Sequence, residues 1–222
     1  MADIESIAGD SVAMSPQNFA PFDGLPHQVA VAWSEDFSLL WCNHEFAAQR
    51  DSTPAELVGR SFYSILPGPA VEERRELLTP AIRDRRKVSY MQVWRGMRCL
   101  TRAWPLDMSA FAKRGCFVVT QPALFNGTTL PNVPMVRTPD LGLFEDLTDR
   151  ELEVLYLLAD GHSAKEVATM LHRSVRTIEN HTGAIHAKLK ITRRSELTRL
   201  VVEHGLLSFT PEQWASIIKS AA

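Results

Sequence analysis

The feature that most constrains this chain is a helix start that occurs twice in close succession in its C-terminal half. Thr148-Asp149-Arg150-Glu151 and, further on, Ser163-Ala164-Lys165-Glu166 each set a hydroxyl residue three positions before a glutamate. In that pattern the hydroxyl accepts from the third amide of the helix while the carboxylate reaches back to the capping amide. Leu152, Leu155, Leu158 and Ala159 follow the first box at helical spacing, and Gly161 closes that helix. Ala164, Val167, Ala168 and Leu171 follow the second at i, i+3, i+4 and i+7. After the short His172-Arg173 turn, Ser174 is placed to cap a third helix with an inward face of Ile178, Ile185 and Leu189. Thr192 is placed to cap a fourth, carrying Leu197, Leu200 and Val201. Four short helices, two of them joined by a three- or four-residue turn, predict a compact all-α helix-turn-helix domain over residues 146–208.

Charge points the same way. The chain carries a net charge of -2, yet between His162 and Leu200 eight cations face three anions. That segment is +5, and the rest of the chain is -7. A basic segment on an acidic body makes nucleic acid a candidate partner. Charge alone fits a solvated, salt-bridged helix pair equally well. On the third helix, opposite Ile178, Ile185 and Leu189, lie Arg176, Glu179, Asn180, Gly183 and Ala187. This face is polar and thin, as entry into a major groove about 12 Å wide requires. Gly183 costs a helix roughly 1 kcal/mol relative to alanine, which makes close approach to a groove an attractive reason for it. Arg176, Lys188, Lys190 and Arg193 fit phosphate neutralisation on either side.

Over nearly all of its length, the segment from Leu147 to Leu207 resembles the LuxR-type (GerE-like) DNA-binding domain. The motifs that carry the resemblance are Leu147-Thr148-x-Arg150-Glu151, Lys165-Glu166-Val167-Ala168, Ser174-Val175-Arg176-Thr177-Ile178-x-x-His181, Lys188-Leu189 and Arg194-x-Glu196-Leu197. What it implies is sequence-specific binding to promoter DNA, usually as a dimer, with base reading at Glu179, Asn180 and Gly183. Lysine or arginine is frequent in the family at the first and third of these, so the present chain departs from the strongly basic version, and modest affinity is expected. Asn180 suits adenine and Glu179 suits cytosine N4, although Glu179 is equally placed to pair with Arg176 at i, i+3. Lys165, Ser174 and Thr177, within the matched motifs, complete the expected DNA-binding set with Arg176, Lys188 and Arg193. His181 is assigned to helix packing.

The N-terminal half has a different grammar. Gln28–Trp33 and Ser38–Cys42 are strand-like around the polar Ser34-Glu35-Asp36 turn. Asn43 caps a short helix, Thr53-Pro54-Ala55-Glu56 starts another that Gly59 ends, and Val71–Lys87 is helical with an apolar stripe. Val88–Trp94 and Cys99–Trp104 flank a turn at Arg95-Gly96-Met97, and Gly115–Thr120 supplies a last strand. This order, with Asn43 after the second strand and the Glu56–Arg60 turn, resembles a PAS domain over roughly a hundred residues. The resemblance implies a curved antiparallel sheet with flanking helices that binds a small ligand, a cofactor or another PAS domain. Arg60-Ser61-Phe62-Tyr63-Ser64 lacks the reactive cysteine of the flavin photosensors, and Val71–Lys87 lacks the histidine of the haem sensors. No metal and no haem are expected, and His27 and His44 are read as ordinary residues. The tryptophans Trp33, Trp41, Trp94 and Trp104 are read as core.

The expected class is therefore α+β, in five parts: an arm at 1–20, flexible or packed on the first domain; a PAS-like sensor at 21–125; a linker at 126–145 holding three prolines; the helix-turn-helix at 146–208; and a helical extension at 209–222. Trp214, Ile217 and Ile218 give the extension an apolar stripe that must be buried, on its own domain or at a dimer contact. Three cysteines without CxxC spacing are read as reduced thiols, and no apolar run reaches membrane length, so a cytoplasmic protein is expected. No nucleophile elbow, phosphate loop or metal signature suggests an enzyme. A phosphorylated receiver would need a doubly wound parallel sheet with aspartates at strand ends, which the N-terminal half lacks. The leading reading is a transcription regulator with a PAS-like sensor, binding double-stranded DNA as a homodimer. The alternative is an adaptor that docks a protein partner while its C-terminal domain tethers it to DNA.

Overall fold

The computed structural model describes residues 13–66, 70–123 and 133–221. Residues 1–12, most of the expected arm, and 124–132, the first part of the expected linker, lie outside the described residues. Contacts divide the chain into two units, one of 1–91 with 100–121 and one of 92–99 with 122–222.

The strands are β1 (Val29–Ser34), β2 (Leu39–Cys42), β3 (Val88–Trp94), β4 (Met97–Pro105) and β5 (Gly115–Pro122), all in the first unit except the β3–β4 tip at 92–99 and Pro122. They form an antiparallel sheet in the order β2-β1-β5-β4-β3. β1 runs in register with β5 from Val29 opposite Thr120 to Ser34 opposite Gly115, and meets β2 through a bulge between Ala32 and Trp33. Such an antiparallel order excludes the doubly wound parallel receiver. Helices α1 (His44–Ala48), α2 (Pro54–Leu57), α3 (Phe62–Ile65), α4 (Ala70–Arg83) and α5 (Met108–Phe111) accompany it. Alternation along the central strands gives two buried faces. On one, Trp33 packs edge-on against Phe62 with centroids 4.9 Å apart. On the other, Phe117 stacks on Phe19 at 4.4 Å, from a pair of 3-10 turns at Pro16–Asn18 and Ala20–Phe22. That part of the N-terminal arm is packed on the sheet, with Met14 bridged to Leu106.

Asn43 shows why the sequence signal after β2 was sharp. Its fully buried side chain accepts from the amides of Ala30 (3.1 Å) and Phe46 (3.0 Å) and donates to the carbonyls of Phe22 (3.0 Å) and Gln28 (2.6 Å). One amide group caps α1 and ties it to β1, using its whole bonding capacity where water is excluded. The three cysteines are buried free thiols, and burial pushes Cys42 up to about 11 and Cys99 up to about 12.

The second unit is built on α6 (Asp149–Ala159), α7 (Ala164–Met170), α8 (Val175–Leu189), α9 (Arg194–Glu203) and α10 (Pro211–Ala221). Leu152, Leu155, Val167, Ile178, Ile185, Leu197 and Val201 form its core, essentially without exposure. Both boxes close as expected: Glu151 Oε2 accepts from the Thr148 amide at 2.8 Å, and Glu166 Oε2 from that of Ser163 at 2.7 Å. α9 departs from the expected start by one residue. Arg193 occupies the capping position, and Glu196 Oε2 accepts from the amides of both Thr192 (2.7 Å) and Arg193 (3.0 Å). The extension is α10, whose Trp214, Ile217 and Ile218 are buried in this same core. Within the stretch expected to link the halves, Val136 and Phe144 are buried as well.

Candidate nucleic-acid interface

The turn between α7 and α8 is set by sequence. His172 takes a positive φ of 52°, and the Ser174 hydroxyl then accepts from the Thr177 amide at 3.1 Å. α8 starts there, fixed against the core by Ile178 and Ile185. Its other side is open: Arg176, Glu179, Asn180, Gly183 and Ala187 are all exposed, and Thr177 is half-exposed. Six of the expected residues, Ser174, Arg176, Thr177, Glu179, Asn180 and Gly183, thus share the first three turns of one helix. Lys165 is exposed on α7, and Arg193 is exposed beside the start of α9.

Two of the segment's three anions are consumed by backbone amides. Bonds to the capping amides hold the carboxyls of Glu166 and Glu196 below the usual carboxylate range. Glu179 lies 3.9 Å from Arg176, the i, i+3 partner weighed in the sequence, with the arginine side chain 83% exposed. An exposed pair at this length is weak and easily exchanged for another partner.

Lys188 is placed differently from the others. Its ammonium lies 2.7 Å from Glu151 Oε2, and the side chains are 34% and 7% exposed. Burial raises the Glu151 carboxyl, but Lys188 and the Thr148 amide and hydroxyl outweigh it and hold it below its ordinary value. Lys188 therefore ties α8 to α6. Sequence reasoning also missed Arg194, whose Nη2 donates to the carbonyls of Leu158 (2.8 Å) and His162 (2.6 Å), closing the C-terminal end of α6. Both links join positions more than thirty residues apart, where neither periodicity nor capping gives a signal.

Around the fourth helix, Val201 and Leu206 are buried and Leu207 is partly buried in the unit's own core. Val202 is 52% exposed. Among the described residues no cluster of three or more metal-ligating side chains occurs, and no helix is long and apolar enough to cross a membrane.

Residues 145–201 match the family model described as bacterial regulatory proteins, luxR family. The segment is a LuxR-type helix-turn-helix domain. A curated relative is the response regulator protein VraR of Staphylococcus aureus, 35% identical over 65 residues, which cover 29% of this chain and 31% of the relative. The VraR of Staphylococcus epidermidis matches with the same figures. The chain thus spans about a third of the length of these relatives. Among solved structures, the phage VqmA–DPO complex aligns over 88% of this chain and 91% of its own, with 18% identity and a TM-score of 0.45. The Vibrio cholerae VqmA–ligand–DNA complex aligns over 91% and 92%, with 17% identity and a TM-score of 0.44. At that level neither likeness says what this chain binds.

Proposed function

We propose that the chain is a sequence-specific transcription regulator that binds double-stranded DNA as a homodimer, with α8 in the major groove, and that its sheet unit senses a small polar ligand. Gly183 carries the DNA-reading part. A Cβ built there meets nothing within 4 Å, and the backbone is ordinary helix, so the folded chain has no need of glycine at this point. A residue that weakens its helix without serving the fold supports a demand from outside, namely a surface that must come close. Gly183→Ala is expected to raise the unfolding free energy by about 1 kcal/mol while lowering affinity for the cognate site on the order of tenfold. Stability and binding should move in opposite directions; unchanged cognate affinity in the alanine variant would remove the argument.

Reading and gripping separate on the same helix. Asn180→Ala is expected to cost on the order of 1–3 kcal/mol on a site selected from random DNA and little on unselected DNA. Arg176→Ala should weaken both alike and reduce the slope of log affinity against log salt by about one, because phosphate charge is the same at every base pair. Lys165, Lys190 and Arg193 are assigned to the phosphate set with Arg176. Equal loss on both DNAs in the asparagine variant would show that α8 does not read bases through that residue.

Dimeric binding follows from the small surface of a single helix-turn-helix, which two half-sites one helical turn apart enlarge. The exposure of Val202 supports it, and sedimentation showing only monomer with and without DNA would refute it. Ligand sensing rests on a polar set inside the sheet unit. Arg74 of α4 is 3% exposed, Thr101 and Thr120 share a 2.9 Å bond across the strands, and Tyr90 bonds to Thr101. Native mass spectrometry of the chain from cells should find a small molecule retained; a bare chain would favour partner docking.

A further inference from the structure

The tip of the β3–β4 hairpin, residues 92–99, belongs to the helical unit by its contacts. Val93 is fully buried in the same core cluster as Leu152, Ile178 and Val201. The Gly96 amide donates to the Asp140 carbonyl at 2.8 Å, the Asp140 amide donates back to Val93 at 3.1 Å, and the Arg98 amide donates to the carbonyl of His204 at 2.9 Å. His204 is the residue that ends α9, and its ring meets Phe144 edge-on at 5.3 Å, in the 3-10 turn that leads into α6. The approach is as close as backbone allows. Gly96 has φ +76°, and a Cβ on it would fall 2.7 Å from the Leu141 carbonyl oxygen and 3.0 Å from the Phe144 ring. Gly142 has φ +51°, and its Cβ would fall 2.4 Å from the Arg95 carbonyl carbon. Two glycines, one on each side, leave room for nothing else.

Against these bonds stands Arg98. Its guanidinium lies 5.3 Å from the Phe209 ring centroid, and the residue is 8% exposed; Nη1 donates to the Ala123 carbonyl at 2.5 Å while Nε meets no acceptor among the described residues. A buried cation with part of its bonding capacity unused regains hydration when it leaves. Three backbone bonds and a close-packed turn favour the seat, and one desolvated charge opposes it, which is the balance of an element with two states of similar free energy.

We propose that the 92–99 hairpin is a releasable seat of the helical unit, which when seated holds the end of α9 and the entry to α6. Strands β3 and β4 carry it, so a change in their register or twist would unseat the tip and loosen both helix ends. Its bearing on DNA binding rests on the function proposed above; the seat itself does not, and its test uses no DNA.

Hydrogen exchange by mass spectrometry on the full chain compares the native sequence with Gly142→Ala, which touches no strand, and with Gly96→Asn, which keeps a residue tolerant of left-handed backbone in the turn. Both variants are expected to accelerate exchange at least tenfold in peptides covering 93–99 and 200–206, with β1 and β5 at native rates. Acceleration confined to 93–99 would mean the tip merely decorates the unit. Acceleration spreading to β1 and β5, or none anywhere, would equally overturn the seat. A native chain that binds no DNA, with variants that still show the expected exchange pattern, would fault the proposed function and leave the seat standing.

Discussion

Replacing Trp214 by alanine is expected to destabilise the helical unit by about 3–5 kcal/mol, a large share of the 5–15 kcal/mol that holds a typical domain together. The indole is 2% exposed and packs between Tyr156 and Phe209, with ring centroids 6.0 and 6.2 Å away and nearly parallel planes. Its Nε1 donates to the Leu152 carbonyl at 3.1 Å, and the Tyr156 hydroxyl donates to the Phe209 carbonyl at 2.7 Å. Alanine removes the packing and leaves a cavity lined by Ile217, Ile218 and α6 that the backbone cannot fill. Phenylalanine keeps most of the apolar volume and loses one hydrogen bond, so Trp214→Phe should cost about 1–2 kcal/mol. Ending the chain after Leu207 should be at least as damaging as the alanine variant. The measurement is chemical unfolding followed by helical circular dichroism; a loss under about 1 kcal/mol for the alanine variant would make α10 an appendage rather than a part of the core.

That outcome also bears on what a sequence discloses. The helical unit was legible because its signals are local. A capping hydroxyl, a glutamate three residues later and leucines at helical spacing act within two turns of chain, so Thr148, Ser163 and Ser174 begin their helices where the spacing puts them. The stripe of Trp214, Ile217 and Ile218 demanded burial, but where it is buried depends on Leu152 and Tyr156, far away along the chain. The strands of the sheet were legible from alternation and turn residues, with ends displaced by a residue or two. The sheet order was not, because nothing in β1 names β5 as its neighbour. Least legible was the stretch 133–145. Proline and threonine there suppress periodicity and read as a linker, yet Val136 and Phe144 are buried and Asp140 and Gly142 take the hairpin tip. Irregular backbone that is held by specific hydrogen bonds has the same composition as irregular backbone that is not.

Lys188 shows the same limit inside the interface, and its partner supplies the second large effect. A lysine near the end of a DNA-facing helix reads as a phosphate contact, while a neighbour 37 residues away claims its ammonium. Glu151 caps α6 and binds Lys188 through one carboxylate oxygen. Removing it by Glu151→Ala strips the cap and strands Lys188, and is expected to cost about 3 kcal/mol, the low end for breaking a buried pair because Lys188 is a third exposed. Since folding holds this carboxyl below its ordinary value of 4.5, its contribution is present in full above that value and is lost as pH falls through the folded one. The gap between the native chain and Glu151→Gln should accordingly be constant at neutral pH and close in the acid range. Lys188→Ala settles which partner the ammonium serves. If Glu151 holds it, the variant loses stability, since it leaves a nearly buried carboxylate without its cation, and the salt slope of DNA binding stays at the native value. If phosphate holds it, stability is untouched and the slope falls by about one; that second pattern would overturn the placement of Lys188 between α8 and α6.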